Sequence, residues 1–185
     1  MSKKNNLVII LALVFVIAGT AISVYYFSFK NKTCGLVEDY IAQRDRQDVI
    51  NLFKENWYWL IASHDFSTEF MLDKRAPDKN PRYLGSMYFK VLRIDNQLAG
   101  FTASYIKKKD VGRILFLVIN EKFRGKGYAD LMMKCAIDHL VSLGSKRIIL
   151  LTREQNIKAQ KVYLRLGFTQ YKYDPQGFVH YELFP

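Results

Sequence analysis

Cysteine is scarce: Cys34 and Cys135 are the only two in 185 residues, and there is no Cys-x-x-Cys pair and no clustered histidine. Neither a disulfide staple nor a zinc site is therefore expected. Each cysteine reads as an unpaired thiol, and Cys34, which follows a hydrophobic run, is also a candidate for palmitoylation. Carboxylates are few as well, 17 against 28 lysines and arginines, which leaves a formal net charge of +11. Such an excess fits a nucleic acid, an anionic membrane surface or a polyanionic small ligand. Zinc-finger spacing, an aromatic RNA-binding signature and a dense arginine tract are all missing, so nucleic acid is not the expected partner. Apolar residues are not lacking. Half the chain is hydrophobic and 15% is aromatic, enough to fill one core and too much for a disordered segment. The length suits one compact domain with an appendage.

Charge is absent from residues 7–27. A helix of roughly 20 apolar residues crosses the hydrocarbon layer of a membrane, and Tyr25, Tyr26, Phe27 and Phe29 suit the interfacial zone beyond it. Residues 7–29 are expected to form a single transmembrane helix, 30–38 a linker, and 39–185 the folded domain. The competing reading is a cleaved signal peptide, since Gly19-Thr20-Ala21 offers small residues at a cleavage site. Lys3 and Lys4 precede the run, whereas Lys30, Lys32, Arg44 and Arg46 follow it. That bias favours a single-pass membrane protein with its domain on the cytoplasmic side.

Periodicity organises the rest. Residues 40–44 alternate like a short strand. Residues 48–61 read as an amphipathic helix through Val49, Leu52, Phe53, Trp57 and Leu60. A short helix over 67–74 is ended by Pro77 and Pro81. A meander of strands follows at 88–94, 98–106 and 112–119, with Asp95-Asn96-Gln97 as its first turn. Residues 127–143 form a helix with Leu131, Met132, Cys135, Ala136, Leu140 and Leu143 on one face, and Gly144 closes it. A strand at 147–151, a helix at 156–166 closed by Gly167, and strands at 168–173 and 179–184 complete an α+β, or mixed α/β, domain.

The stretch most directly tied to chemistry runs from Leu117 to Ala129, where a strand passes through a glycine-containing turn into a helix. Helix N-termini carry unpaired N–H donors and partial positive charge, so such a junction suits a phosphate or diphosphate. Gly125 and Gly127 let backbone approach an anion closely, and Lys122, Arg124 and Lys126 add charge. A Walker loop would need Ser or Thr where Gly127 stands, and a dinucleotide fingerprint would need glycine in place of Asp130. A plain surface turn closed by glycine remains the bland alternative.

Arg124-Gly125-Lys126-Gly127-Tyr128-Ala129 resembles the Gln/Arg-x-x-Gly-x-Gly/Ala pattern of the GNAT acetyltransferase superfamily. Downstream, Asn156, Ala159, Tyr163, Gly167 and Phe168 are similar to that family's Asn, Ala, Tyr and Gly-Phe helix. The resemblance covers residue 40 to the C-terminus and excludes the hydrophobic run. It implies a mostly antiparallel sheet splayed between its fourth and fifth strands and flanked by helices. Backbone groups of Leu117 and Ile119 would bond the pantetheine arm of acetyl-CoA. Arg124, Gly125, Lys126, Gly127, Tyr128 and Ala129 would hold the diphosphate, Asn156 would cap the second helix facing the cofactor, and Tyr163 would protonate the departing thiolate. No metal is implied.

The acceptor is expected to be a primary amine on a small molecule or a protein, and it must lose a proton before it attacks. The base stays open among Glu121, His64, Asp65, Glu69, His180, Tyr181 and a water relay. Two other functions compete with acetyl transfer. One is a catalytically silent, membrane-tethered acyl-CoA sensor; the other is docking of the basic surface on anionic lipid in aid of a membrane-associated acceptor.

Overall fold

A computed structural model describes residues 34–61, 68, 72 and 87–185. The chain divides into two compact units, 1–35 and 36–185, and all the elements below belong to the second. They are β1 (Val37–Asp39), α1 (Ala42–Glu55), α2 (Trp57–Leu60), β2 (Tyr88–Ile94), β3 (Gln97–Lys108), β4 (Val111–Ile119), a 3-10 turn (Glu121–Phe123), α3 (Tyr128–Ser142), β5 (Arg147–Arg153), α4 (Ile157–Arg165), β6 (Thr169–Tyr173) and β7 (Phe178–Leu183).

The strands form one sheet in the order β1-β2-β3-β4-β5-β7-β6. The expected meander is present. Asp95 and Asn96 take positive φ angles of 48° and 62°, the left-handed pair that a two-residue hairpin needs to match strand twist. Every pairing is antiparallel except β4 with β5. That parallel contact is confined to Val111, Gly112 and Arg113 against Arg147, Ile148 and Ile149. Beyond it the two strands are not paired, in keeping with the splay that the family resemblance implied.

Helices cover both faces. On one, Val49, Leu52 and Phe53 of α1 pack on Phe101 of β3 and on Phe116 and Val118 of β4, with the Phe53 and Phe116 rings edge to face at 5.2 Å. On the other, Met133, Ala136 and Leu140 of α3 join Ile148 and Leu150 of β5, Tyr163 of α4 and Tyr181 of β7. Phe116 and Val118 of β4 serve the first core and Ile114 the second, because the register shift opposite Ala103 and Ser104 reverses the alternation between them.

Several boundaries differ from expectation. The strand expected at 40–44 is Val37–Asp39, and α1 starts at Ala42. The cause is Asp45: its carboxylate is fully buried and accepts a 2.8 Å hydrogen bond from the Ile41 N–H, so the chain bends into a helix whose first turn has no apolar period to betray it. The helix expected over 48–61 is two helices, broken at Asn56. Leu143 is 42% exposed and lies off the buried face of α3. Neither cysteine is the unpaired thiol expected, for Cys34 and Cys135 are both disulfide-bonded. The helix expected at 67–74 lies outside the described residues except for Thr68 and Leu72, which are helical and buried. The hydrophobic run at 7–29 also lies outside them. Among the described residues no helix is long and apolar enough to cross a membrane.

Candidate functional site

A cavity of about 760 Å³ opens where β4 and β5 separate. Leu117 and Ile119 of β4 and Leu151 and Thr152 of β5 form its strand walls, and α2 contributes Trp59 and Leu60. The start of α3 and the inner face of α4 complete the lining, with Asn156, Ala159 and Tyr163 from the latter.

The edge of β4 facing this cavity is rich in main-chain polar groups. The Asn120 N–H donates to the Ala99 carbonyl of β3 at 2.9 Å, and the Val118 carbonyl also lies against β3, beside Gly100. Polar groups alternate sides along a strand. Those of Leu117 and Ile119 therefore point away from β3 and into the gap, where β5 no longer pairs. The Ile119 carbonyl is already engaged: it accepts from Arg124 Nε at 3.0 Å.

The turn that follows is held by Asn120, whose side chain accepts from Lys122 N–H at 3.1 Å and whose carbonyl accepts from Phe123 N–H at 2.9 Å. Gly125 and Gly127 then adopt φ of +77° and +80°, a region costly for a residue with a Cβ. Intrahelical bonding begins only at Leu131, whose N–H donates to the Gly127 carbonyl. The N–H groups from Gly125 through Asp130 donate to no acceptor among the described residues. The result is a cluster of unspent donors at the positive end of a helix of 15 residues.

Gly125, Gly127, Tyr128, Ala129 and Arg124 all line the cavity. Lys126 does not; it adds its backbone to the turn, and its ammonium lies 5.6 Å from the Phe123 ring centroid. Asp130, in the first turn of α3, is paired with Arg165 through bonds of 2.9 and 2.7 Å. Asn156 caps α4 by accepting from the Ala159 N–H at 3.3 Å.

Tyr163 is 7% exposed, packed against the rings of Phe168 and Tyr181, and lines the cavity. Burial, aided by the nearby Tyr181, pushes its phenol well above its ordinary value. The group therefore stays protonated at any physiological pH, as a proton donor must. Its hydroxyl makes no hydrogen bond to a described residue.

The candidate bases are not gathered here. His180 pairs with Asp174 at 2.9 Å, the Tyr181 hydroxyl donates to Gln160 at 3.2 Å, and neither residue nor Glu121 lines the cavity. His64, Asp65 and Glu69 lie outside the described residues. Sequence reasoning missed Asn56, Trp59, Thr152 and Arg165. A helix break at Asn56 was the one available signal, and it is hidden by the continuous apolar pattern across it.

The Acetyltransferase (GNAT) family profile matches residues 46–168, and the chain belongs to that family. Among curated proteins it is 33% identical over 85 residues to the spermine/spermidine N(1)-acetyltransferase of Bacillus subtilis, covering 44% of this chain and 56% of that protein. It is also 33% identical over 76 residues to the mycothiol acetyltransferase of Corynebacterium efficiens, covering 40% of this chain and 25% of that one. The chain thus spans a quarter to about half of these relatives. The PaiA N-acetyltransferase of Thermoplasma acidophilum, solved in complex with coenzyme A, superposes with a TM-score of 0.66 at 18% identity, covering 80% of this chain and 98% of that one. At that identity the likeness shows the fold.

Proposed function

We propose that the protein transfers an acetyl group from acetyl-CoA to a primary amine on a small molecule or a protein. The observation that carries this reading is the row of unspent N–H donors from Gly125 to Asp130 beside the unpaired edge of β4. The donors suit a diphosphate. The edge at Leu117 and Ile119 suits an extended amide-bearing arm, which can add to the gap as a strand would. An acyl-CoA carries both groups, and a nucleoside diphosphate carries only the first.

In this reading the amine attacks the thioester carbon, and the tetrahedral intermediate collapses with cleavage of the C–S bond. The Tyr163 phenol gives its proton to the departing thiolate, and the proton lost by the amine leaves through solvent or a base not yet assigned. Most of the acceleration comes from holding amine and thioester in reacting geometry. Membership of an acetyltransferase family and relatives named for acetyl transfer support the assignment. The uncharged run at 7–27 supports a membrane tether, with the domain on the face where acetyl-CoA is made. Fractionation of cells expressing the full chain and a chain lacking residues 1–29 tests it: only the full chain should sediment with membranes.

The activity itself is tested by following free thiol released from acetyl-CoA in the presence of a panel of amines and peptides. Thiol release that depends on one acceptor class is expected. Release that no amine accelerates, with CoA bound normally, would leave only a binding protein.

A further inference from the structure

A guanidinium in a phosphate turn is expected to bind the phosphate, but Arg124 is otherwise engaged. Its Nε donates to the Ile119 carbonyl at 3.0 Å and its Nη2 to Asn56 Oδ1 at 2.9 Å. Both acceptors are neutral. Asn56 is 9% exposed and occupies the break between α1 and α2. Its backbone N–H donates to Phe53, and its carbonyl accepts from Trp59. Its Nδ2 donates to the Leu52 carbonyl at 2.8 Å. One amide side chain therefore closes the end of α1 with its donor and holds the guanidinium with its acceptor.

A continuous path of hydrogen bonds results, from the Leu52 carbonyl through Asn56 and Arg124 to the Ile119 carbonyl. It joins the helical wall of the cavity to the edge of β4 just where that strand turns toward the glycines. Asn56, Trp59, Ile119 and Arg124 all line the cavity, so the path crosses one side of it. A planar guanidinium can hold two acceptors in fixed directions, and a lysine ammonium cannot.

We propose that Arg124 and Asn56 are positioning residues for the acyl-CoA: their bond sets the angle at which β4 enters the glycine turn, aiming the N–H groups of 125–130, and fixes α2 across from them. The proposal rests on the acyl-CoA reading above. What Arg124 contributes is fork geometry, and its charge is secondary.

The test is calorimetric titration of CoA into the full chain and its Asn56→Ala, Asn56→Asp, Arg124→Lys and Arg124→Lys/Asn56→Ala variants at one salt concentration, with thermal unfolding run on each. Loss of one such bond is expected to weaken CoA about tenfold in N56A. R124K should weaken it similarly although the charge is kept, and the double variant should be no weaker than the weaker single one. N56D retains an acceptor for the guanidinium but cannot donate to Leu52, and it should return to within about threefold of wild type. A role limited to closing α1 would leave N56D as weak as N56A, and that result would overturn the proposal. So would wild-type affinity in R124K, or losses that multiply in the double variant. If N56A does not fold, R124K and N56D decide the matter alone. Wild-type protein that takes up no CoA would overturn the acyl-CoA reading and this inference with it, whereas a binding wild type with multiplying losses overturns the inference only.

Discussion

Gly127 before α3 and Gly144 after it hold nearly the same backbone angle, φ of +80° and +87°, yet the polar groups around them are treated in opposite ways. At the C-terminal end, Ser145 N–H returns to the Leu140 carbonyl at 3.0 Å and Gly144 N–H to Val141 at 2.9 Å, so the helix closes on itself. The end of α4 is finished in the same way, with Phe168 N–H donating to the Tyr163 carbonyl at 3.1 Å. Other helix starts are closed too: Asp45 takes up the Ile41 N–H before α1, and Asn156 takes up Ala159 N–H in α4. At the start of α3 no side chain takes up a backbone N–H, and those from Gly125 to Asp130 bond no acceptor among the described residues. A left-handed glycine therefore does not mark a site by itself. The candidate site lies where the donors beside such a glycine are left unspent.

Tyr163 belongs to both kinds of region, because its carbonyl closes the end of α4 while its ring lines the cavity. Replacing it with Phe leaves the closed end intact and removes only the hydroxyl proposed as the proton donor. Tyr163→Phe should lower kcat by about 10²- to 10⁴-fold with CoA affinity within about twofold of wild type, checked by thiol release and calorimetry. Because the phenol's pKa is raised, the protonated donor persists above the ordinary value of 10.0. Tyr163 should therefore add no alkaline limb to the wild-type rate below that pH.

The glycine comparison can be broken directly. A Cβ at Gly125, Gly127 or Gly144 meets nothing within 4 Å, so alanine at each carries backbone strain of about 1–2 kcal/mol and little else. Gly125→Ala/Gly127→Ala should weaken CoA by roughly a hundredfold as the turn relaxes. Gly144→Ala should lower the Tm while CoA affinity stays as in wild type. Equal loss of affinity in both would show that strain anywhere in α3 suffices, and the distinction between its ends would fail.

Closed starts should show their effect in stability. Asn156→Ala is expected to cost about 1 kcal/mol by removing the cap of α4, read as a lower denaturation midpoint. Asp45 gives a pH signature. Its burial would raise the pKa, but hydrogen bonds from Arg44 and the Ile41 N–H, with charge from Arg44 and Arg93, leave it below the ordinary 3.8. A lowered folded-state value means that its stabilisation is fully present above 3.8 and is lost as pH falls through the folded-state value. Asp45→Asn should flatten this part of an acid unfolding curve, the smallest effect of the set.

What the sequence disclosed follows the same division. The glycine turn, the capping Asn156 and Tyr163 were legible because strand, turn and helix signals are local and lie close together in the chain. The strand meander was legible because alternation repeats over whole strands. The start of α1 was not, since its first turn is polar and is held by a buried carboxylate rather than by an apolar face. The break at Asn56 was hidden because Phe53, Trp57 and Leu60 keep helical spacing across it. The bond between Arg124 and Asn56 was not legible because the two lie 68 residues apart, and no local pattern announces a contact made through tertiary structure. The Asp130–Arg165 pair, 35 residues apart, escaped notice for the same reason.

The proposed grip of the 125–130 amides on a diphosphate is most directly tested by following backbone amide resonances of ¹⁵N-labelled protein during titration with CoA and, separately, with pantetheine, which lacks the diphosphate. CoA should shift the amides of Gly125 through Asp130 strongly, and pantetheine should leave them in place while moving those of Leu117 and Ile119. Equal shifts at 125–130 with both ligands, or none with CoA at saturation, would contradict the assignment of that turn.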